Sequence, residues 1–317
     1  MRLPIKFYML SLPVALCGMF SLRAQVRVDS GLPSYTKASG VTGSLVSIGS
    51  DTMDSLMEAW LESFVSNYGI STKLLGLGSS AAVPALIEGN AQLGPMSREM
   101  KAEEIERFER RYGYKPTKIT VVMDAINVIV SNANTIKAIS LQELGGIYFK
   151  NGQKDITSWE HMGVKSLKGR PISVFARASD SGTASFFREK VLSNGDYKSG
   201  IKEMNLSATV VRNITFDRFA IGYCGAADLV PEVKAVPVAE KKGGQAYDAN
   251  YENVMGGKYP LSRNLYIYVN RHPQNGLPQS VSEFIKFALS RDGQEIAVKK
   301  GYLPLNADMC NQEKTKL

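Results

Sequence analysis

The chain has 317 residues, of which 44% are hydrophobic and 21% are charged. This is the balance of an ordinary globular protein, and it excludes a disordered or collagen-like chain. The two histidines and three cysteines form no C-x-x-C, H-E-x-x-H or other Cys/His cluster, so the sequence predicts no metal site and no cofactor. The absence of a G-x-S-x-G elbow and of a G-x-x-x-x-G-K-[ST] loop argues against a serine hydrolase and a P-loop protein.

The first 24 residues have the pattern of an export signal. Arg2 and Lys6 precede the uncharged segment 7–20, which is shorter than the roughly 20 residues that a membrane-spanning helix needs. We therefore predict a signal peptide, 1–24, that is cleaved after Ala24 and places the mature chain in the periplasm. A lipid anchor at Cys17 is a less favoured alternative, because the preceding leucine is large for a lipobox, and an uncleaved anchor is a third.

Part of the basic charge belongs to this signal. Its removal takes away three basic residues and lowers the formal charge from +8 to +5, with 35 basic and 30 acidic residues remaining. The sequence therefore predicts no nucleic-acid partner. The mature chain keeps Cys224 and Cys310, and the sequence leaves open whether they pair.

The mature chain begins with a polar segment and continues as an alternation of strands and helices. Residues 25–43 predict a flexible N-terminal tail. From residue 44 onward the alternation predicts an α/β fold with parallel strands. The strand patterns lie at 45–48, 71–76, 119–130, 172–176 and 265–270. The helical patterns lie at 53–68, 81–88, 99–112, from Ser140, at 184–192 and at 281–294.

Three junctions between a strand and a helix are rich in Gly, Ser and Thr: loop 1 (48–52), loop 2 (76–80) and loop 3 (177–183). A helix N-terminus presents free N–H groups and the positive end of the helix dipole, so each loop is a candidate anion site. Plain helix capping is the alternative for any one of them. Arg177 in loop 3 favours a tetrahedral oxyanion, because a guanidinium binds two oxygens at once.

The sequence resembles the periplasmic phosphate-binding proteins of bacterial phosphate ABC transporters over about 45–305. The motifs that carry the resemblance are Gly49-Ser50-Asp51-Thr52-Met53, Gly78-Ser79-Ser80, Leu93-Gly94-Pro95-Met96-Ser97-Arg98, Arg177 through Thr183, and Gly301-Tyr302-Leu303-Pro304-Leu305. It implies a two-lobed periplasmic-binding-protein (Venus-flytrap) fold with the ligand in the cleft between the lobes. Lobe 1 is then 44–124 plus 262–317, and lobe 2 is 125–261.

The same resemblance implies a function and its contact residues. The implied protein is a monomer that binds inorganic phosphate, delivers it to the membrane permease of an ABC transporter and catalyses nothing. The implied phosphate contacts are Thr52, Met53, Ser79, Arg177, Ser181, Gly182 and Thr183, with Ser97 at a position where well-known members carry a carboxylate.

That carboxylate accepts a hydrogen bond from the protonated phosphate and rejects sulfate, which has no proton to donate, whereas Ser97 offers only a neutral oxygen. The acceptor role then falls to Asp51 or Asp180. For Asp180 the alternative is a salt bridge that orients Arg177, and for Asp51 it is helix capping.

Three other functions stay open at this point. One is the binding of another tetrahedral oxyanion, such as sulfate or molybdate. The second is a sensor or surface protein that retains phosphate without transport, which the sequence does not separate from a transporter subunit. The third is a secreted phosphatase on the same scaffold, which would need a metal clamp or an activated nucleophile. The three loops contain no carboxylate cluster and neither histidine, which makes the phosphatase the weaker alternative.

Overall fold

The structure is a computed structural model that describes residues 26–152 and 155–317. The predicted signal peptide and Cys17 lie outside the described residues. The described strands are β1 Ser44–Gly49, β2 Ser71–Gly76, β3 Gly94–Met96, β4 Thr117–Ser131, β5 Ile139–Ser140, β6 Ser173–Arg177, β7 Lys202–Met204, β8 Ala220–Gly225, β9 Val233–Val236, β10 Val238–Ala239, β11 Ala246–Tyr247 and β12 Ser262–Val269. The described α-helices are α1 Asp54–Tyr68, α2 Ser79–Ile87, α3 Ala102–Tyr112, α4 Leu141–Tyr148, α5 Gly182–Leu192, α6 Ser207–Phe216, α7 Tyr251–Met255, α8 Gln279–Ala288, α9 Arg291–Lys299 and α10 Ala307–Lys314.

The predicted α/β class is confirmed, but the strands are only partly parallel. The pairs β1–β2, β6–β7 and β6–β8 are parallel, as expected. The long strand β4 is antiparallel to its partners β12, β8 and β9 in the central sheet, whose order is β3-β12-β4-β8-β6-β7 with β9 also on β4. The reason is connectivity: β4 and β12 link the same two parts of the molecule in opposite chain directions.

Each of these two parts has its own hydrophobic core. Clusters drawn from 32–122 and 265–310 form the first, and clusters drawn from 125–261, joined by Leu303, form the second. We refer to the parts around them as lobe 1 and lobe 2. The first portion of β4 pairs with β12, and its remainder, from Ile126 onward, pairs with β8 and β9. The cores therefore change close to the expected crossings at Asp124 and Ser262.

Aromatic side chains set the packing of both cores. In lobe 1 the α1 residue Trp60 is fully buried, donates from Nε1 to Gly293 O at 2.8 Å and packs edge-on against Phe284. In lobe 2 Phe187 of α5 stacks on Tyr223 of β8 with 4.0 Å between ring centroids. Because α1 and α5 are fixed by these contacts, the loops at their N-termini are held in place.

The segment predicted to be a flexible tail is instead packed against lobe 1. Leu32 is fully buried and Val41 is 6% exposed, both within the first core. The Tyr35 backbone N–H donates to Asp292 at 2.7 Å, and its hydroxyl donates to Glu283 at 2.8 Å. Sequence reasoning missed this because two isolated apolar residues show neither helical nor strand periodicity.

Two further differences have local causes. The helix predicted over 281–294 is two helices, since α8 ends at Ala288 and Ser290 caps α9 by accepting from Gly293 N at 3.3 Å. Strand β8, fully buried in the central sheet, was not predicted, because the glycines in its sequence AIGYCG weaken the strand signal.

We expect Leu32→Ala to lower the free energy of unfolding by about 2–5 kcal/mol, because it opens a cavity in a packed core. Urea denaturation followed by circular dichroism measures this. The matched control is Leu77→Ala, whose side chain is 56% exposed and which should change stability by less than about 0.5 kcal/mol. Equal stabilities for the two variants would contradict the packed role of the N-terminal segment.

Candidate functional site

The three predicted loops meet between the lobes. Loops 1 and 2 belong to lobe 1, and loop 3 approaches them from lobe 2 at the N-terminus of α5. The hydroxyls of Thr52 and Thr183 are 2.9 Å apart across the cleft, and Ser80 Oγ donates to the Asp180 carbonyl at 3.2 Å. The structure thus brings the three loops together, as they would have to be if they form one site.

A cluster of serine hydroxyls lines the lobe 1 side. Ser50 Oγ donates to Ser97 Oγ at 3.0 Å, and Ser97 Oγ is 3.2 Å from Ser79 Oγ. The Ser97 backbone N–H also donates to Ser79 Oγ at 3.0 Å. All three serines are fully buried, so an oxyanion at this point would meet donors with no competing water.

Helix capping accounts for one of the three loops. Ser181 Oγ accepts from the N–H groups of Thr183 and Ala184, which makes it the N-cap of α5. In loop 1 the helical segment has no side-chain cap, and the Met53 N–H donates to Ser50 O at 3.1 Å. Loop 2 also has no side-chain cap, so plain capping does not explain loops 1 and 2.

Arg177, the first residue of loop 3, is fully buried and donates hydrogen bonds to four protein acceptors. Its Nε donates to Met204 O at 3.3 Å and its Nη1 to Ser207 Oγ at 2.6 Å. Its Nη2 donates to Asn205 O at 2.8 Å and to Asp51 Oδ2 at 2.6 Å. The guanidinium is therefore fixed within the cleft and shares its charge with a carboxylate of the opposite lobe.

The carboxylate that pairs with Arg177 is Asp51, which corrects the interpretation that Asp180 orients this arginine. Asp180 is exposed, and its backbone rather than its side chain meets loop 2. Asp51 does not cap the helix either, since its Oδ2 accepts from Arg177. Its Oδ1 is buried and has no hydrogen-bond partner among the described residues.

Two charged residues of this site escaped sequence reasoning, namely Arg263 and Asp124. They lie opposite each other on β12 and β4, and both Nε and Nη2 of Arg263 donate to Asp124 Oδ2, at 3.0 and 2.7 Å. Arg263 also donates to Ser97 O at 3.1 Å and to Thr183 Oγ1 at 3.0 Å. The available signal was a charge inside an apolar strand, which is costly unless it is paired.

Two further carboxyls near the site have altered proton affinity. Burial, and then the charge of Asp124, raises the pKa of Asp228 to about 6. Burial, and then the charge of Asp51, raises the pKa of Asp54 to about 7. Both groups therefore keep a proton to a higher pH than an ordinary aspartate does.

Three other sequence predictions concern the cysteines, a metal site and a membrane-spanning helix. Cys224 and Cys310 are both free and buried, one in each lobe. Across residues 26–152 and 155–317, no three His, Cys, Asp or Glu side chains are grouped so that they could hold a metal ion. In the same part of the chain, no helix has the length and apolarity needed to cross a membrane.

Gly182, the first residue of α5, lies close to the serine cluster of lobe 1. A Cβ at this position would lie 2.3 Å from both Ser79 Oγ and Ser97 Oγ. We expect Gly182→Ala to keep the lobes apart, so that the tetrahedral oxyanion that the sequence predicts, tested as inorganic phosphate, binds about tenfold more weakly or worse, equivalent to about 1.4 kcal/mol or more. Calorimetric titration gives the affinity, and small-angle X-ray scattering in the presence of phosphate should give a larger radius of gyration for the variant than for the wild type.

The matched control for this variant is Gly145→Ala. A Cβ at Gly145, in α4 of lobe 2, would meet only Val191 O at 3.5 Å, an ordinary contact. This variant should bind and scatter like the wild type. If Gly182→Ala also behaves like the wild type, the close approach seen at the N-terminus of α5 does not limit closure.

Comparison with known proteins identifies the family. The model of the PBP superfamily domain matches residues 35–292. The phosphate-binding protein PstS of Pseudomonas aeruginosa is 38% identical to this chain over 314 residues, which is 97% of each protein. Protein SphX of Synechococcus elongatus is 28% identical over 285 residues, 88% of this chain and 83% of its own.

Two solved structures are similar to this chain. A putative phosphate ABC transporter substrate-binding protein with bound phosphate from Clostridium perfringens has a TM-score of 0.71 and 27% identity, and the match covers 83% of this chain and all of that one (100%). An ABC-type phosphate transport receptor from Vibrio cholerae has a TM-score of 0.66 at 21% identity, over 82% of this chain and 100% of that one. These likenesses confirm the predicted periplasmic-binding-protein fold.

Proposed function

Because the chain belongs to the PBP superfamily and, within it, to the family of PstS phosphate-binding proteins, we propose that it binds inorganic phosphate and delivers it to an ABC transporter for uptake. The observation that carries the proposal is the meeting of Thr52 and Thr183 across the cleft, at helix starts of opposite lobes. A tetrahedral anion offers four oxygens, so donors from both lobes can bind it together.

The proposed phosphate contacts are those that the sequence resemblance implies. In the structure they are all buried, which suits a ligand enclosed between lobes, and they surround the junction of the three loops. They are Thr52, Met53, Ser79, Ser97, Arg177, Ser181, Gly182 and Thr183.

The protein is proposed to bind and not to catalyse. A phosphoryl hydrolase needs a nucleophile beside a free base or a metal clamp. The buried carboxylates of Asp51 and Asp124 are instead each paired with an arginine, Arg177 and Arg263. Its relatives also carry names of binding proteins.

The place of action and the partner follow from the same family. We propose a periplasmic monomer, exported by the signal peptide 1–24, whose partner is the membrane permease of a phosphate ABC transporter. Lobe 1 is proposed to comprise 44–124 plus 262–317 and lobe 2 to comprise 125–261. The permease would recognise the closed form that phosphate stabilises.

Calorimetry on the mature protein tests the binding proposal. Phosphate-free protein titrated with inorganic phosphate is expected to bind one equivalent, and a phosphate monoester should not be hydrolysed. Sulfate and molybdate serve as competitors in the same cell. A silent phosphate titration, or hydrolysis that follows the protein through purification, would contradict the proposal.

Selectivity against sulfate is proposed to come from Asp51. Near neutral pH phosphate still carries a proton and sulfate carries none. A buried carboxylate gains a charge-assisted hydrogen bond from that proton, whereas it repels the bare oxygen of sulfate. Asp51 suits this role because its Oδ1 is buried and has no partner among the described residues, while Oδ2 is anchored to Arg177.

Asp51→Asn should therefore narrow the preference for phosphate over sulfate by about tenfold or more, out of a discrimination on the order of 10³-fold. Competition of sulfate against labelled phosphate at pH 7 measures it. Asp180→Asn is the control, because the Asp180 side chain is exposed, and it should keep the wild-type preference. If Asp51→Asn discriminates as sharply as the wild type, the acceptor is another group, with Ser97 the first to test.

A further inference from the structure

Arg263 lies where the two connecting strands meet. It is the direct partner of Asp124 in the β12–β4 register, and the two side chains are 2% and 0% exposed. Two N–H groups of the guanidinium donate to Asp124 Oδ2, and Asp124 Oδ1 accepts from Ala226 N at 3.0 Å. Because the carboxylate is itself anchored, it fixes the direction in which the guanidinium points.

The remaining contacts of Arg263 reach both lobes. Its Nη1 donates to the Ser97 carbonyl of lobe 1 at 3.1 Å. Its Nη2 donates to Thr183 Oγ1 at 3.0 Å, and its guanidinium carbon is 5.8 Å from the ring centroid of Phe186, both on helix α5 of lobe 2. One side chain on the strands that join the lobes therefore touches both walls of the cleft.

The hydroxyl that Arg263 contacts is at the centre of the proposed site. Thr183 Oγ1 is 2.9 Å from Thr52 Oγ1, and both are proposed phosphate contacts. The bond from Arg263 to this hydroxyl has a neutral acceptor. An oxyanion accepting from the same Nη2 would form a charge-assisted bond, which is roughly twice as strong.

The two arginines differ in this respect. Arg177 donates to four protein acceptors, and Nη2, the atom nearest the opposite lobe, already holds the charged acceptor Asp51 and a carbonyl. For Arg263 to contact an anion, only its bond to the neutral Thr183 hydroxyl has to be exchanged or shared. The exchange retains the pair with Asp124.

We propose that Arg263 is a second guanidinium contact to the bound anion and that Asp124 positions it. This inference rests on the proposed function. It adds a binding residue that lies on one of the two strands connecting the lobes. The contact also links occupancy of the site to the position of α5, because the same Nη2 touches Thr183.

The test removes the ion pair without leaving a buried charge unpaired. The double variant Asp124→Asn with Arg263→Gln keeps the net charge and the shape of the Asp124 side chain, so it avoids the penalty of an orphaned carboxylate. Phosphate calorimetry should show at least about tenfold weaker binding than in the wild type. Urea denaturation checks that the variant is folded, and the change in radius of gyration on adding phosphate should be smaller.

Two further variants make the result decisive. Arg263→Lys keeps the positive charge beside Asp124 but loses the planar fork, so an intermediate loss of affinity is expected. The matched control is Asp196→Asn with Arg188→Gln, which removes a pair of 2.9 Å in lobe 2 whose side chains are 79% and 28% exposed. It should bind phosphate within about twofold of the wild type.

Wild-type affinity in the double variant and in Arg263→Lys would overturn the proposal, since Arg263 would then only neutralise Asp124. An equal loss in the control pair would overturn it as well. If the double variant does not fold, Arg263→Lys decides by the same comparison. If the wild-type protein binds no phosphate, the proposed function itself is wrong. If the wild type binds phosphate and the variants bind it equally well, only the role of Arg263 is wrong.

Discussion

The antiparallel pairing of β4 with β12 is the constraint on which the two-lobed arrangement depends. These strands join the two cores, and their register places Arg263 opposite Asp124 in a fully buried position. If one of the two strands slipped by one residue, Arg263 and Asp124 would point to opposite faces of the sheet. Both charges would then be without partners. The ion pair therefore specifies the register of the connecting strands, and the register in turn sets how α5 meets loops 1 and 2.

The charges around the cleft are balanced, which determines how an anion can be held. Arg177 and Arg263 are each paired with an aspartate, and burial raises the pKa of the neighbouring Asp228 to about 6. In a site whose arginines are paired with aspartates, oriented hydrogen-bond donors contribute more to anion binding than net charge does. The helix N-termini and buried hydroxyls supply such donors, and they need no reorganisation because the two aromatic cores fix their helices.

Local features of this fold could be predicted from the sequence, and features created by distant residues could not. The spacing of Met53, Leu56, Trp60 and Phe64 predicted α1, and the Gly/Ser/Thr junctions predicted the three loops, because each depends on neighbouring residues. A salt bridge from Arg177 to nearby Asp180 was one of two interpretations of Asp180, whereas the structure pairs Arg177 with Asp51, 126 residues away in sequence. The packing of 26–43 and the pair of Arg263 with Asp124 were missed for the same reason: sequence spacing carries no information on long-range contact.

For the proposed site, the contact between Thr52 and Thr183 couples ligand binding to closure of the lobes. Facing each other at 2.9 Å, two hydroxyls form one neutral hydrogen bond, in which one group must act as acceptor. An oxyanion allows both to donate, together with the serine cluster and Arg263, and each bond is then charge-assisted. These bonds exist only when both lobes are in place, so the free energy of binding depends on the closed arrangement and stabilises it over an open one. The size of that preference depends on how many of the donors lie on each lobe, and here they are shared between both.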